Sequence, residues 1–563
     1  MPPVVSIGTQ DFEFIRTNHC FYVDKTDLIK EWWESADAVT LITRPRRFGK
    51  TLNMSMLDYF FSKQYTHRDN LFEGLCIWKE EKYRRLYRTY PVIYFSFAGI
   101  KGDTYETARD GIVQIIIDIY TKYGFLLEGD RLSRQEREYF DFIKTDMSDA
   151  VAAMALQRLT ICLNRYYGKK TIILLDEYDT PLQEAYVYGY WEKLTAFIRS
   201  LFNCTFKTNP YLERGLLTGI TRVSKESIFS DMNNLEVVTT TSKKYASSFG
   251  FTQEEVAEAL ELFGMSENGE KVKFWYDGFR FGDKTDIYNP WSITKYLDQK
   301  KFDTYWANTS SNKLIRRLLQ EGTPEIKIAL EDLLAGKSIV TALDEEVVFG
   351  ELDESQEAIW SLLLASGYLK VEDIFWQEEE DDMLYHLSVT NLEVKKEFKK
   401  MVRKWFQNTS VKYHDFIKAL LADDIDYMNQ YMNQVALRSF SSFDTGKQPS
   451  EKAEPERFYH GFVLGLIVDL SNQYRITSNR ESGLGRYDVV MEPLDKKLNA
   501  VVMEFKVFHP AKEKDLKETV KNALKQIAGK KYDEELLAKG IEKERICHYG
   551  FAFEGKTVLI GRE

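Results

Sequence analysis

The chain has 563 residues and a formal net charge of −11, with 44% hydrophobic, 14% aromatic and 29% charged residues. That length exceeds a single hydrophobic core and suggests roughly three or four domains. The aromatic content excludes a disordered polymer, and the acidic balance excludes nucleic-acid binding through bulk charge, so any such contact requires a local basic surface.

Five scattered cysteines (Cys20, Cys76, Cys162, Cys204, Cys547) form no close pair. That excludes the usual zinc spacings and fits reduced thiols in a cytoplasmic protein. Residues 1–17 lack a basic start followed by an apolar block, so no signal peptide is expected. Apolar runs such as 461–468 fall short of the roughly 20 residues a membrane span needs.

In chain order, Asp24 to Leu28 opens a short helix, with Asp or Thr available as its N-cap. A buried-type strand over 38–42 runs into Arg44-Pro45-Arg46-Arg47-Phe48-Gly49-Lys50-Thr51, and a helix follows over 52–61. Further strands are predicted at 90–97, 171–175 and 214–220, with helices at 105–122 and 150–166. Apolar strands alternating with helices indicate a parallel sheet covered on both faces. Helices at 253–262 and 270–277 and a small hairpin at 278–288 follow. A mixed helical region over about 345–440 carries a hairpin around 375–387. The acidic run Glu378 to Asp382 reads as its solvated tip. The Ser-, Pro- and charge-rich stretch 439–456 is the best linker. After it come an apolar helix (458–470), strands at 486–492 and 499–507, a lysine-rich helix (513–529) and a strand at 548–553. No internal repeat is apparent.

The Arg/Gly/Lys loop has the parts of a phosphate cradle. Gly49 permits a close backbone turn, Lys50 supplies charge, and Thr51 supplies a hydroxyl for magnesium. One part departs: a GxxxxGK[ST] pattern would place glycine at 44, where this chain has Arg44. The strand 172–175 ends in Asp176-Glu177. Asp176 is expected in the magnesium shell and Glu177 to polarise the attacking water; the plainer reading is two acids at a strand exit. Thr218 and Arg222, after the fourth strand, could sense the γ-phosphate, or Arg222 could pair with a surface acid.

Arg44 to Thr51, Leu174 to Pro181, Leu217 to Leu235, Trp275 to Phe279 and Tyr288 to Ser292 together resemble the predicted AAA-ATPase-like family of bacterial proteins. The resemblance extends over nearly the whole chain, and the block Thr221-Arg222-Val223-Ser224-Lys225-Glu226-Ser227-Ile228-Phe229-Ser230 is its most specific part. It implies a P-loop ATPase that tolerates arginine at position 44, with Arg47 beside Gly49, Lys50 and Thr51 at the nucleotide. It also implies a C-terminal domain of the PD-(D/E)xK nuclease superfamily.

The C-terminal residues support that second domain independently. Metal-assisted phosphodiester cleavage needs carboxylates for the metal and a lysine for charge or water activation. Asp488 lies on one strand, a turn follows at 493–497, and the return strand carries Glu504-Phe505-Lys506. Strand alternation puts Glu504 and Lys506 on one face, and a hairpin can bring Asp488 opposite them. A Glu504–Lys506 surface salt bridge is the alternative. The helix before, the helix after and the 548–553 strand make an α–β–β–β–α–β order like the restriction-endonuclease core. Tyrosine, not the superfamily's proline, precedes Asp488. Gln526 and Tyr532 fit that superfamily's helix-borne polar motif. Glu456, His460 and Glu481 could complete the metal shell, though His460 fits helix packing equally. Lys514, Lys517, Lys521 and Lys525 recur at helical spacing, as a solvated face or a phosphate-tracking one.

The sequence therefore predicts an α/β protein: a P-loop NTPase parallel sheet (1–245), a helical lid (246–345), a helical or winged-helix-like coupling region (346–440) and a restriction-endonuclease-like domain (441–563). The expected cofactors are ATP and Mg²⁺ or Mn²⁺. The expected partners are nucleic acid, DNA before RNA, and a second copy or another protein, with no membrane. Catalysis is assigned to Glu177, Asp488, Glu504, Lys506 and Gln526, and metal to Thr51, Asp176, Asp488 and Glu504. The rival reading is a nucleotide-dependent switch or scaffold whose nuclease-like domain binds without cutting.

Overall fold

A computed structural model describes residues 2–68, 70–222, 228–229, 232–306, 313–321, 324–343, 352, 355–377, 382–407, 413–439, 463, 467, 470, 473–480, 487–510, 512–529, 532–555 and 557–563. The chain forms two compact units. One comprises Met1–Ile315 and Val340–Val394, the other Arg316–Ile339 and Lys395–Glu563. Among the described residues, no helix is long and apolar enough to cross a membrane.

The first unit is built on a five-stranded sheet of β1 (Val39–Thr43), β2 (Val92–Ser96), β3 (Thr171–Asp176), β4 (Leu212–Gly219) and β5 (Leu235–Val238). Their spatial order is β2-β3-β4-β1-β5, and every pairing is parallel. All residues of β1 and β3 are buried, as expected for strands covered on both faces. Helices Tyr105–Lys122 and Asp149–Tyr167 connect β2 to β3. Each starts at a hydroxyl N-cap, Thr104 and Ser148, that accepts an amide of the first turn. One large apolar cluster includes Trp32, Phe60, Phe61 and Phe72.

Helices Gln253–Leu262, Gly269–Tyr276 and Pro290–Gln299 follow, with a two-stranded hairpin of β6 (Phe279–Phe281) and β7 (Lys284–Ile287) among them. Next come β8 (Ile339–Ala342), helix Gln356–Ala365, β9 (Leu369–Gln377) and β10 (Asp382–Val389). These strands form a sheet in the order β8-β10-β9. Most of the acidic tip lies outside the described residues; Asp382 is exposed.

The second unit holds a mixed sheet in sequence order: β11 (Tyr474–Arg480), β12 (Tyr487–Pro493), β13 (Ala500–Val507), β14 (Ile546–Glu554) and β15 (Thr557–Arg562). Only the β13–β14 pairing is parallel. Helix Leu516–Gly529 sets Val520, Leu524 and Ile527 against Ala500, Val502 and Ala552. Phe505, Phe551 and Phe553 associate as neighbouring rings, with centroids 4.9 to 6.4 Å apart. Edge strand β15 is covered by helix Ile425–Ser439. Asn429 bonds both the N–H and the C=O of Ile560, and Asn433 those of Val558. Two amides one helical turn apart thus satisfy backbone groups that an open edge would expose.

The linker 440–456, Glu456, His460 and Glu481 lie outside the described residues. Of the expected 458–470 helix, Val463, Ile467 and Leu470 are described and buried.

Candidate functional site

The phosphate loop joins β1 to helix Lys50–Phe61. Gly49 stands at the N-cap with φ 84, a left-handed conformation that glycine adopts without steric cost. None of the amides of Arg46, Arg47, Phe48, Gly49, Lys50 or Thr51 donates to a carbonyl in the described turns and caps. Orphan N–H groups at a helix start suit a phosphate. The loop opens on a cleft of ≈ 850 Å³ that Lys50, Thr51, Asp176, Glu177 and Trp291 help to line.

Parallel pairing through β4 brings the ends of β1 and β3 together. Thr51 Oγ1 donates to Asp176 Oδ2 at 2.7 Å, and Thr218 Oγ1 donates to Oδ1 at 2.5 Å. Burial and the neighbouring Glu177 push the Asp176 carboxyl up, against both hydroxyls and Lys50. Lys50 Nζ donates to the Arg44 and Pro45 carbonyls at 3.2 Å and lies 3.4 Å from Glu177 Oε1. Glu177 has φ 52, an uncommon backbone state for a non-glycine residue and one that costs energy to hold. A paired acid, a hydroxyl and a lysine beside these amides fit a nucleotide phosphate with a divalent metal ion.

The remaining predicted residues fall around this centre. Arg47, exposed and at φ 67, places its guanidinium 4.2 Å from the Trp291 ring centroid. Thr218 is fully buried; it supports Asp176 and is not among the cleft-lining residues. Arg222 is half-buried after β4. Arg44, at the position of the missing glycine, turns away into the protein and is 0% exposed. Its guanidinium donates to the carbonyls of Thr43, Thr239 and Lys244 and lies 4.4 Å from the Phe281 ring. Burial brings its pKa down to about 9. Asp179, to which the sequence reading gave no role, is fully buried beside this centre.

In the second unit, β12–β13 register sets Asp488 directly opposite Glu504. Residues opposite one another in an antiparallel ladder share a face. The Asp488 side chain lies outside what the structure describes, as does that of Tyr532. Glu504 is 1% exposed, and Lys506 and Gln526 are half-buried. Lys514, Lys517, Lys521 and Lys525 are exposed. One residue was missed. Glu513 accepts from the His509 amide and the Thr519 hydroxyl at one oxygen, and from Asn522 at the other. Burial would raise its carboxyl, but those bonds and nearby Lys506 hold it below the usual range. The only sequence signal was an acid within a basic run.

The fold and the cleft fit an AAA-like α/β domain, with a nuclease-like α/β domain at the C-terminal end. Residues 6–229 match the family described as Predicted AAA-ATPase, and residues 454–563 match the PD-(D/E)XK nuclease superfamily. An "uncharacterized protein in vnfD 5'region" of Azotobacter chroococcum mcd 1 is 27% identical over 403 residues, covering 69% of this chain and 68% of that protein. The chain thus joins a predicted AAA-ATPase domain to a PD-(D/E)XK nuclease-superfamily domain.

Proposed function

We propose that the protein binds and hydrolyses ATP, and that this cycle governs a Mg²⁺- or Mn²⁺-dependent nuclease acting on nucleic acid, DNA before RNA, in defence or DNA maintenance. The observation that carries the reading is the convergence of Lys50, Thr51, Asp176 and Glu177 at one cleft beside unpaired loop amides. The working division is an ATPase domain (1–245), a lid (246–345), a coupling region (346–440) and a nuclease domain (441–563).

In this reading Thr51 and Asp176 would hold magnesium, whose charge offsets that of the phosphates. Lys50 meets the terminal phosphates, Glu177 orients the attacking water, and Thr218 keeps Asp176 in place. Arg47 and Arg222 contribute charge near the nucleotide. In the second domain Asp488 and Glu504 would hold metal, Lys506 stabilises charge, and Gln526 approaches from the following helix. The exposed lysine face tracks phosphate.

The Lys50–Glu177 contact favours a second reading, in which nucleotide switches the protein without turnover and the nuclease-like domain only binds. Phosphate release with Mg-ATP separates the two. Turnover in wild type that is lost in Lys50→Ala supports the ATPase; ATP binding without release supports the switch.

A further inference from the structure

Asp179 is the N-cap residue of helix Thr180–Tyr188, yet its side chain does not cap that helix. An aspartate there ordinarily accepts an amide of the first turn. This one reaches across to the end of β4 instead. Its Oδ2 accepts from the Ile220 amide, the Thr221 amide and the Thr221 hydroxyl, each at 3.0 Å. Gln183 Nε2 donates to the same oxygen at 3.0 Å. The residue is 0% exposed, and Oδ1 has no hydrogen-bond partner among the described residues. A buried carboxylate held in this way is costly and calls for a reason.

The far end of Gln183 supplies a link. Its Oε1 accepts from Arg46 Nη2 at 3.3 Å. A carboxylate only accepts and a guanidinium only donates, so the two partners fix the orientation of the amide. Arg46 and Gln183 both line the cleft. A continuous path therefore runs from the phosphate loop, through Gln183 and Asp179, to Ile220 and Thr221. Tyr178 grips the same loop: its amide donates to the Thr218 carbonyl at 2.9 Å and its hydroxyl to the Thr221 carbonyl at 2.7 Å. A Cβ at Gly219 would come within 2.6 Å of the Tyr178 ring and 2.8 Å of Asp179 Oδ1. The residues just after Glu177 thus hold the end of β4 at closer range than any side chain at 219 permits.

We infer that Asp179 and Gln183 are positioning residues, which fix Thr218 and the 220–222 loop relative to the phosphate loop so that ATP is hydrolysed, while binding depends little on them. The inference rests on the reading of the cleft as an ATP-hydrolysing site. Neither residue touches the reacting atoms; each acts through the groups it holds. Nucleotide that engages Arg46 is felt at Thr221 through two side chains, and the size of that coupling is measurable.

The test uses the full chain and Mg-ATP. Asp179→Asn and Gln183→Leu are compared with wild type for kcat, KM and ATP affinity by titration calorimetry. The expected result is a kcat at least about tenfold lower, with KM and affinity within about threefold, the split that misplacement of a bound substrate produces. Arg46→Met and Thr221→Val are then combined. Their effects on kcat should be non-additive in wild type and additive in the Gln183→Leu background. Unchanged kcat, an equal loss of affinity and kcat, or additivity in both backgrounds overturns the inference. Should Asp179→Asn fail to fold, half-buried Gln183→Leu decides alone. Wild type without ATP turnover overturns the ATPase reading and this inference with it. Wild type with turnover and unaffected variants overturns only the positioning role.

Discussion

Replacing Asp58 by Asn should make the first unit respond differently to pH. Asp58 lies on the helix that follows the phosphate loop and is 4% exposed. Its Oδ2 accepts the Tyr65 hydroxyl at 2.7 Å, and Oδ1 has no partner among the described residues. Burial pushes its carboxyl up to about 6 from an ordinary 3.8, against the opposing pull of Lys122 and Tyr65. The native state therefore holds this proton more tightly than the unfolded chain does. The associated stability is full below the unfolded value and is lost as pH rises through the folded one. At roughly 1.4 kcal/mol for a pKa change of about one, the loss is about 1–2 kcal/mol at about pH 5 and about 3 kcal/mol at about pH 8. Wild type should thus weaken by about 1 kcal/mol relative to Asp58→Asn between those conditions. The fixed cost of burying the new amide cancels in that difference. Guanidinium unfolding of both proteins at the two pH values, followed by intrinsic fluorescence, measures it; Trp32 is a buried reporter. A stability difference that is the same at both pH values, or that moves the other way, refutes the reasoning.

Lys50→Ala should abolish measurable Mg-ATP binding by calorimetry, since Nζ carries the buried charge of the loop. Glu177→Gln should retain ATP while kcat falls by about a hundredfold, read by phosphate release. Gly219→Ala should lower the melting temperature, because the added methyl meets the Tyr178 ring and Asp179 and overpacking costs about 1–3 kcal/mol. Asp488→Ala should abolish plasmid cleavage and leave ATP affinity unchanged, because the two sites belong to separate domains.

The strands that carry the site were legible because their chemistry is local. Apolar runs marked β1, β3 and β4 within about two residues, the usual margin for element ends. Period-two alternation and a short turn foretold the Asp488–Glu504 pairing. Strand β5 was not read: it has four residues and one of them is Glu236, so neither length nor pattern separates it from loop. Strand β11, the third that the α–β–β–β–α–β order requires, was given no range, and β15 was missed. Residues of β11 alternate without a strong apolar set, and β15 is completed by Asn429 and Asn433 from distant sequence. The direction of Arg44 was not readable either. It depends on Phe281 and on carbonyls about Thr239 and Lys244, brought near only by folding. Asp179 was not singled out, because its partners Ile220 and Thr221 are distant in sequence and meet it only in the fold.

The central claim is that a nucleotide cycle governs a metal-dependent nuclease. It is tested most directly by incubating wild type, Lys50→Ala and Glu504→Ala proteins with plasmid DNA and with RNA, with and without Mg²⁺ or Mn²⁺ and ATP. The account predicts cleavage that requires metal, vanishes in Glu504→Ala, and changes with ATP in wild type but not in Lys50→Ala. Cleavage that survives Glu504→Ala, or that is indifferent to ATP in wild type, would contradict it.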